Sequence, residues 1–428
     1  MSEFNGIIVK VDKISARLDY VFQWLLSSTT VWRYAEQNEN LSDARKVLNY
    51  SEQSIPGALN ITPTQWMYED HLRIPGFRWI EEKHPKLLID DNEHFDSIAA
   101  IFFLISRVEE YTPKFIDLHG RFPSNASANQ PFLMIPLADV WRMEILRALG
   151  ITSTGVTNKI QFSFDIDSAF AYTHKGIVRT LGAIGRDIIN LKLAKLTERI
   201  LCVAGIKNDP FDTYQKIISD CKAHGIELTW FFLLSDRTKE NNNISYRSEG
   251  LRKLITQLVE NFNVGIHPGY ETWKNEELLQ REMHRLMEIT AAPVLHSRQH
   301  YLRFTIPETY RLLCGLGVQH EYSMGYADAP GFRAGTSRSF RWFDLHKNQM
   351  TDLMVHPFCA MDVTFSRYQK YTVAESIEIL QQLYVQVKAT DGEFHMLWHN
   401  ETLSDRDNWR GWKSFWDGAL QLISQKGQ

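Results

Sequence analysis

No stretch of the chain holds the roughly 18 uninterrupted apolar residues that a membrane-crossing helix needs. There is no basic tract either. The 47 lysines and arginines stand against 51 acids, a formal net charge of −4, so nucleic acid is set aside as a partner. Cysteine is scarce: Cys202, Cys221, Cys314 and Cys359 are scattered and make no C-x-x-C pair. They read as small, reduced core residues, and no disulfide framework is implied. The first twenty residues carry acids and bases through their only apolar run and lack the long apolar segment of a secretion signal. The expected compartment is cytoplasmic.

What is there is a globular composition, 44% hydrophobic and 23% charged, over 428 residues, too many for one ordinary core. Two domains are expected. Residues 1–155 read as a small mixed α/β unit, with a strand over 7–11 and helices near 17–24, 95–108 and 136–149. Within it Glu109 and Glu110 read as a solvated helix end, and His119-Gly120-Arg121-Phe122-Pro123 as a turn. No metal-ligand spacing or nucleophile–base set stands out there. The polar, turn-prone segment 152–158 marks the boundary, and 156–428 forms the second domain. From residue 160 strands and helices alternate, with strands near 160–166, 226–234, 263–266, 294–302, 318–322, 353–355 and 394–398. Such alternation implies a parallel sheet covered by helices. Six or seven units favour a closed or partly closed barrel over an open sheet.

The most informative stretch is Ile160-Gln-Phe-Ser-Phe-Asp-Ile-Asp167. Apolar and polar residues alternate and then run into Asp165 and Asp167, which share one face of the strand. Carboxylates at the end of an apolar strand are costly to bury unless paired or bound to a metal. Taken alone, the Asp-x-Asp also fits a strand end capped by its aspartates, a phosphatase-type nucleophile, or a glycosyltransferase holding a cation. The histidines narrow the choice. Asp165, Asp167, His267, His300, His356 and His399 all fall at or just past the C-terminal ends of expected strands, which in a β/α barrel converge on the active-site face. His174, His224, His296, His320 and His346 lie away from these motifs and read as surface or core residues.

These residues match a family pattern. Residues 160–425 resemble the polysaccharide deacetylases of the NodB-homology type (carbohydrate esterase family 4). The resemblance implies a distorted (β/α) barrel and hydrolysis of N- or O-acetyl groups with a divalent metal. It rests on Phe164-Asp165-Ile166-Asp167, on Gly265-Ile266-His267-Pro268-Gly269-Tyr270, on Ser297-Arg298-Gln299-His300-Tyr301 and on Leu397-Trp398-His399. It implies Asp165 as base, Asp167 and His267 as metal ligands and His399 as general acid. There is one departure. The family's second histidine, four residues after the first, is here Glu271, and the third ligand is expected from His300, with Glu271 the alternative. Residues 1–155 resemble the uncharacterised N-terminal domain that accompanies such barrels in bacterial proteins, and that resemblance supplies no activity.

The implied chemistry is deacetylation of an acetylated carbohydrate. A zinc-type ion on Asp167, His267 and His300 would activate water and polarise the carbonyl. Asp165, held by Arg298, would take the water's proton, and His399 would protonate the leaving nitrogen. Tyr301 and Trp398 are candidate walls for a sugar ring, with core packing the competing role of Trp398. Arg333, in a Gly-flanked loop, is a candidate for an anionic substrate group or for pinning that loop to an acid such as Asp328. His356, with Asp362 nearby, is a candidate part of the cleft. The phosphatase reading lacks its downstream lysine and acidic pair, and the glycosyltransferase reading lacks a nucleotide-binding half. The remaining rival is a degenerate barrel that binds carbohydrate without turnover.

Overall fold

The structure, a computed structural model, describes residues 6–26, 31–37, 39–41, 46–151 and 159–424. The expected boundary segment, 152–158, lies outside the described residues. In the N-terminal part, β1 (Ile7–Val11) sits between β2 (Trp32–Tyr34) and β3 (Val47–Tyr50), with β4 (Leu59–Ile61) outside β3, all parallel. A separate antiparallel ribbon joins β5 (Phe77–Ile80) and β6 (Lys86–Ile89). The helix Ser97–Ser106 is apolar all round and every residue in it is buried, as a central helix requires. Asp96 caps it by accepting from the Ile98 and Ala99 amides, and also accepts the Tyr50 hydroxyl at 2.6 Å. One carboxylate thus ties the helix start to β3.

The second sheet positions the site. Its strands are β7 (Lys159–Ile166), β8 (Glu227–Phe232), β9 (Asn263–Ile266), β10 (His296–Ser297), β11 (His320–Glu321), β12 (Phe340–Asp344), β13 (Gln349–Val355), β14 (Ala360–Met361) and β15 (Glu393–His399). Their order is β12-β13-β11-β10-β9-β8-β7-β15-β14, and every pair is parallel except β12–β13. One face of β7 carries Phe162 and Phe164 into the rings of Trp230, Trp398 and Trp416. The other face carries Ser163 and Asp165. Trp398 is fully buried, with Phe162, Phe415 and Trp416 at ring distances of 5.6, 5.3 and 5.1 Å. It is a core residue, which corrects its expected place as a substrate wall: strand alternation delivers its neighbour His399 to the site and turns Trp398 away.

The fold is mixed α/β, and of the closed or partly closed barrel expected from the sequence, a ring hydrogen-bonded shut is not formed among the described residues. The order has two edges, β12 and β14. The reason lies in β12, which returns antiparallel from β13 and turns its side chains to the N-terminal part. Phe343 packs on Tyr20 and Phe102, and Tyr20 donates its hydroxyl to the Arg341 carbonyl. Strand β12 and the helices Ile177–Ile189 and Leu193–Val203 are absent from the sequence reading.

Packing continues across the expected boundary, and one cluster of buried apolar side chains includes residues from both sides of it. Two of the sequence expectations are corrected here. Glu110 is buried, not solvated, and its carboxylate takes Arg333 at 2.9 and 2.6 Å and Arg107 at 2.8 Å. Arg333 is 2% exposed, and its third nitrogen donates to the Gly325 carbonyl. Arg333 therefore has no free donor face for a substrate anion, and its acid is Glu110 rather than Asp328. Burial would raise the Glu110 carboxyl, but Arg333 and Arg107 override it and hold it below the usual range. The loop 331–336 is a clamp between the two parts of the chain. Gly331 has a φ of +128°, and a Cβ there would lie 2.4 Å from the Leu133 carbonyl oxygen, so only glycine fits.

Candidate metal centre and active site

The site forms where β7, β9, β10 and β15 end. Past its apolar stretch, β7 delivers Asp165 and then Asp167. His267 follows β9 directly, its amide donating to the Phe232 carbonyl at 2.9 Å. Arg298 and His300 follow β10, and His399 ends β15 in register with Asp165. Asp167 Oδ1 lies 3.3 Å from His267 Nε2 and 3.5 Å from His300 Nε2. Asp167, His267 and His300 each offer one ligand atom, all within 4.8 Å of one another. Glu271, the residue at the family's second-histidine position, turns instead to the Asn241 amide.

The hydrogen bonds of the two imidazoles indicate what this cluster is suited to hold. His267 Nδ1 donates to the Arg298 carbonyl at 2.6 Å, and His300 Nδ1 donates to Asn241 Oδ1 at 3.0 Å. The assignment for Asn241 follows from its neighbours, since the same oxygen accepts the Tyr270 amide while its nitrogen donates to Glu271. With Nδ1 occupied in this way, each ring has its Nε2 left facing Asp167, where it carries a proton shared with the carboxylate or, on losing that proton, offers a lone pair to a cation. The facing Asp167 Oδ1 is buried with no hydrogen-bond partner. Two lone pairs and an unpartnered carboxylate oxygen converging in a buried space make a donor set for a cation. Nitrogen and oxygen donors in this number suit a zinc-type ion with an open position. Burial would raise the Asp167 carboxyl, but His300 and His267 override it and hold it well below the usual range. Burial likewise lowers the His267 imidazole, and Asp165 and Asp167 more than reverse that.

Asp165 is 3% exposed and lies 3.6 Å from His267 Nε2 and 3.5 Å from Arg298 Nη1. Its Oδ1 is also buried without a hydrogen bond. Arg298 is fully buried among the rings of Phe231, Phe358 and Tyr322. Its Nη2 donates to Ser163 Oγ at 2.6 Å, and that oxygen lies 2.8 Å from His395 Nε2. His395 Nδ1 in turn donates to the Pro357 carbonyl at 3.1 Å. Arg298 is thus fixed from behind.

On the strand paired with β7 stands His399, in register with Asp165. Asp362 accepts from its Nδ1 at 2.8 Å and from its backbone amide at 2.8 Å, and also takes the Thr402 hydroxyl. Burial lowers the His399 imidazole, but Asp362, with Asp167 and Asp165 behind it, pushes it up to about 10. His356 does not join the cleft. It bonds Ser339 and His320, and burial with His320 beside it keeps its imidazole well below the ordinary value.

Asp165, Asp167, His267, His300, Tyr301 and His399 together line one cavity of about 320 Å³. Tyr301 reaches it because its backbone is left-handed, with φ 60° and ψ 11°, which breaks strand alternation beside His300. Arg121 holds that turn by donating to the Tyr301 carbonyl at 2.9 Å while pairing with Asp117 at 2.6 Å. The stretch read as a plain turn therefore contributes a wall of the site from the N-terminal part. Arg367, Tyr368 and Trp409 complete the mouth, with Arg367 stacked over Trp409. None of Asn241, Arg121, Arg367 and Trp409 stands out in the sequence. They come from loops and from the short helical turns Thr364–Tyr368 and Asp407–Trp409, which are too brief to show periodicity, and only a strand-end acid or histidine carries a signal of its own.

A family model described as a family of unknown function (DUF7033) matches residues 7–152. No curated protein matches the chain. Among solved structures, the chain is similar to a polysaccharide deacetylase from Bacillus cereus at 13% identity, over 63% of this chain and 89% of that one, with a TM-score of 0.31. It is similar to a probable polysaccharide deacetylase from Pseudomonas aeruginosa at 12% identity, over 63% and 85%, with a TM-score of 0.39. A third is a mutant of a carbohydrate esterase family 4 pseudoenzyme with restored enzymatic activity, at 10% identity, over 63% and 64%, with a TM-score of 0.32. Similarity at this level leaves function to be argued from the site. Among the described residues, no helix is long and apolar enough to cross a membrane.

Proposed function

We propose that this chain is a metal-dependent hydrolase that removes an acetyl group from an N-acetylated or O-acetylated sugar or glycan. The observation that carries the reading is the meeting, in one cavity, of the Asp167–His267–His300 donor set, the arginine-held Asp165 and the Asp362-held His399. Asp167, His267 and His300 would hold a divalent cation, most simply zinc. When bound, such an ion lowers the pKa of a water and polarises the acetyl carbonyl.

The chain's own groups supply the rest. Asp165 takes the proton of the attacking water, and the Arg298 guanidinium, 3.5 Å away, orients it. His399, protonated at neutral pH through Asp362, delivers its proton to the departing nitrogen. A free amine anion is too poor a leaving group to depart without that proton. Tyr301, Tyr368 and Trp409 offer ring faces against which a sugar can stack, and Arg121 keeps Tyr301 in place.

The test is acetate release from an N-acetylated amino-sugar oligomer by the zinc-loaded chain. The wild type should turn over and lose activity to a chelator. Asp165→Asn should keep its metal and lose roughly 10²–10⁴-fold in turnover. Undiminished turnover in that variant would remove Asp165 from the mechanism. A metal-loaded wild type that binds the oligomer without releasing acetate would leave a carbohydrate-binding protein in place of an enzyme.

A further inference from the structure

Ten of the twenty large apolar side chains that stand exposed among the described residues lie between 177 and 206. The helix Ile177–Ile189 is amphipathic inside out. Ile177, Val178, Leu181, Ile188 and Ile189 are each more than half exposed, and the buried residue is Asp187. Asp187 pairs with Arg199 at 2.8 Å, which joins this helix to the following one, Leu193–Val203. The second helix repeats the pattern, with Leu193, Ile200 and Val203 exposed and Glu198, Arg199 and Cys202 buried. A helix facing water on one side and protein on the other buries its apolar stripe. A hairpin that presents that stripe outward is shaped to meet a second apolar phase.

The charges around the stripe say which phase. Residues 175–207 hold seven lysines and arginines against two acids, in a chain whose net charge is −4. Both acids face inward, Asp187 onto Arg199 and Glu198 onto Lys207 and Arg406. Arg186 and Lys192 are exposed and have no ion pair among the described residues, so the outward rim is cationic. Beneath the hairpin a cavity of about 770 Å³ is lined by Lys175, Arg179, Arg186, Lys195 and Arg237, and it shares Ser168, Asn242 and Glu401 with the catalytic cavity. An apolar stripe with a cationic rim complements an anionic bilayer surface, where apolar side chains enter the acyl boundary and cations meet phosphates. Stacking two copies hairpin on hairpin would instead bring like charges together. At 13 and 11 residues the helices are too short to cross a membrane, so they lie on it.

We propose that the 177–206 hairpin docks on the surface of an anionic lipid bilayer, bringing the cationic cavity and the adjoining catalytic mouth to the level of the lipid headgroups.

The test is co-sedimentation of the full chain with vesicles of phosphatidylcholine alone and of an equimolar phosphatidylcholine–phosphatidylglycerol mixture. The wild type should pellet with the anionic vesicles, stay largely in solution with the neutral ones, and lose binding as salt rises. Leu181→Asp/Ile189→Asp changes only exposed side chains and should weaken binding to the anionic vesicles by roughly tenfold or more. Arg186→Glu/Lys192→Glu should remove the preference for anionic vesicles. A wild type that ignores anionic vesicles, or variants that bind them as the wild type does, would overturn the proposal. So would a concentration-dependent dimer abolished by Leu181→Asp/Ile189→Asp in analytical ultracentrifugation, which would assign the face to a second copy of the chain.

Discussion

At the scale of single residues, the site depends on which atom each side chain is prevented from using. Arg298 and Asn241 occupy the Nδ1 atoms of His267 and His300, leaving the Nε2 atoms for the cluster. Asp362 does the same for His399, with the added effect of its charge. This gives a pH prediction whose sign follows from the pair. A proton donor works below its pKa, and Asp362 moves that of His399 up to about 10. Turnover on an amide should therefore fall only as pH rises towards that value. Asp362→Asn removes the opposing charge and should bring the alkaline limb of the pH–rate profile down by roughly 1–3 pH units. A limb that stays in place would detach Asp362 from the acid. The principal acids and histidines were legible in the sequence, because a carboxylate or imidazole at the end of a buried strand needs a reason to be there. Asp362 was noted only as a neighbour of the cleft. Asn241 and Arg121 carry no such signal: the bonds by which they hold His300 and Tyr301 are made across 59 and 180 residues.

At the scale of elements, the strands bearing the motifs were legible from alternation, and the helix pair after β7 was not. Ile177–Ile189 and Leu193–Val203 turn their apolar side chains outward, so the usual link between periodicity and burial fails there. The loop after β9 shows how an element far from the chemistry supports it. Glu282, buried on the helix Glu276–Thr290, accepts the Gly269 amide at 2.7 Å two residues past His267. Burial pushes its carboxyl up to about 7. A carboxyl that holds its proton more tightly when folded than when unfolded favours folding below its ordinary value near 4.5. That advantage is lost as pH rises to about 7. Glu282→Gln keeps an acceptor for Gly269 and has nothing to titrate. Its unfolding free energy in urea should lack the decline of the wild type over that window, on the order of 3 kcal/mol. Parallel pH curves for the two proteins would show that Glu282 does not titrate in this way.

At the scale of the whole molecule, the N-terminal part and the large sheet share a core and a set of buried charges. The loop 331–337 carries much of that union: Arg333 grips Glu110, and Thr336 and Ser337 bond the buried Asp139. Removing one partner of a buried pair leaves the other charge stranded. Arg333→Met should therefore cost about 3–5 kcal/mol in unfolding free energy while leaving the KM of the folded fraction unchanged. A raised KM with stability intact would return Arg333 to the substrate. The same union brings Arg121 from the N-terminal part to the wall of the cavity that Asp167, His267 and His300 line. The central claim concerns what that cavity holds, and metal content tests it most directly. After equilibration with excess zinc and gel filtration, the wild type and Glu271→Gln should each carry about one ion per chain, because Glu271 serves Asn241 and a glutamine can do the same. His300→Ala should emerge without it. A loaded His300→Ala beside an empty Glu271→Gln would contradict the account and place the carboxylate, not the imidazole, on the metal.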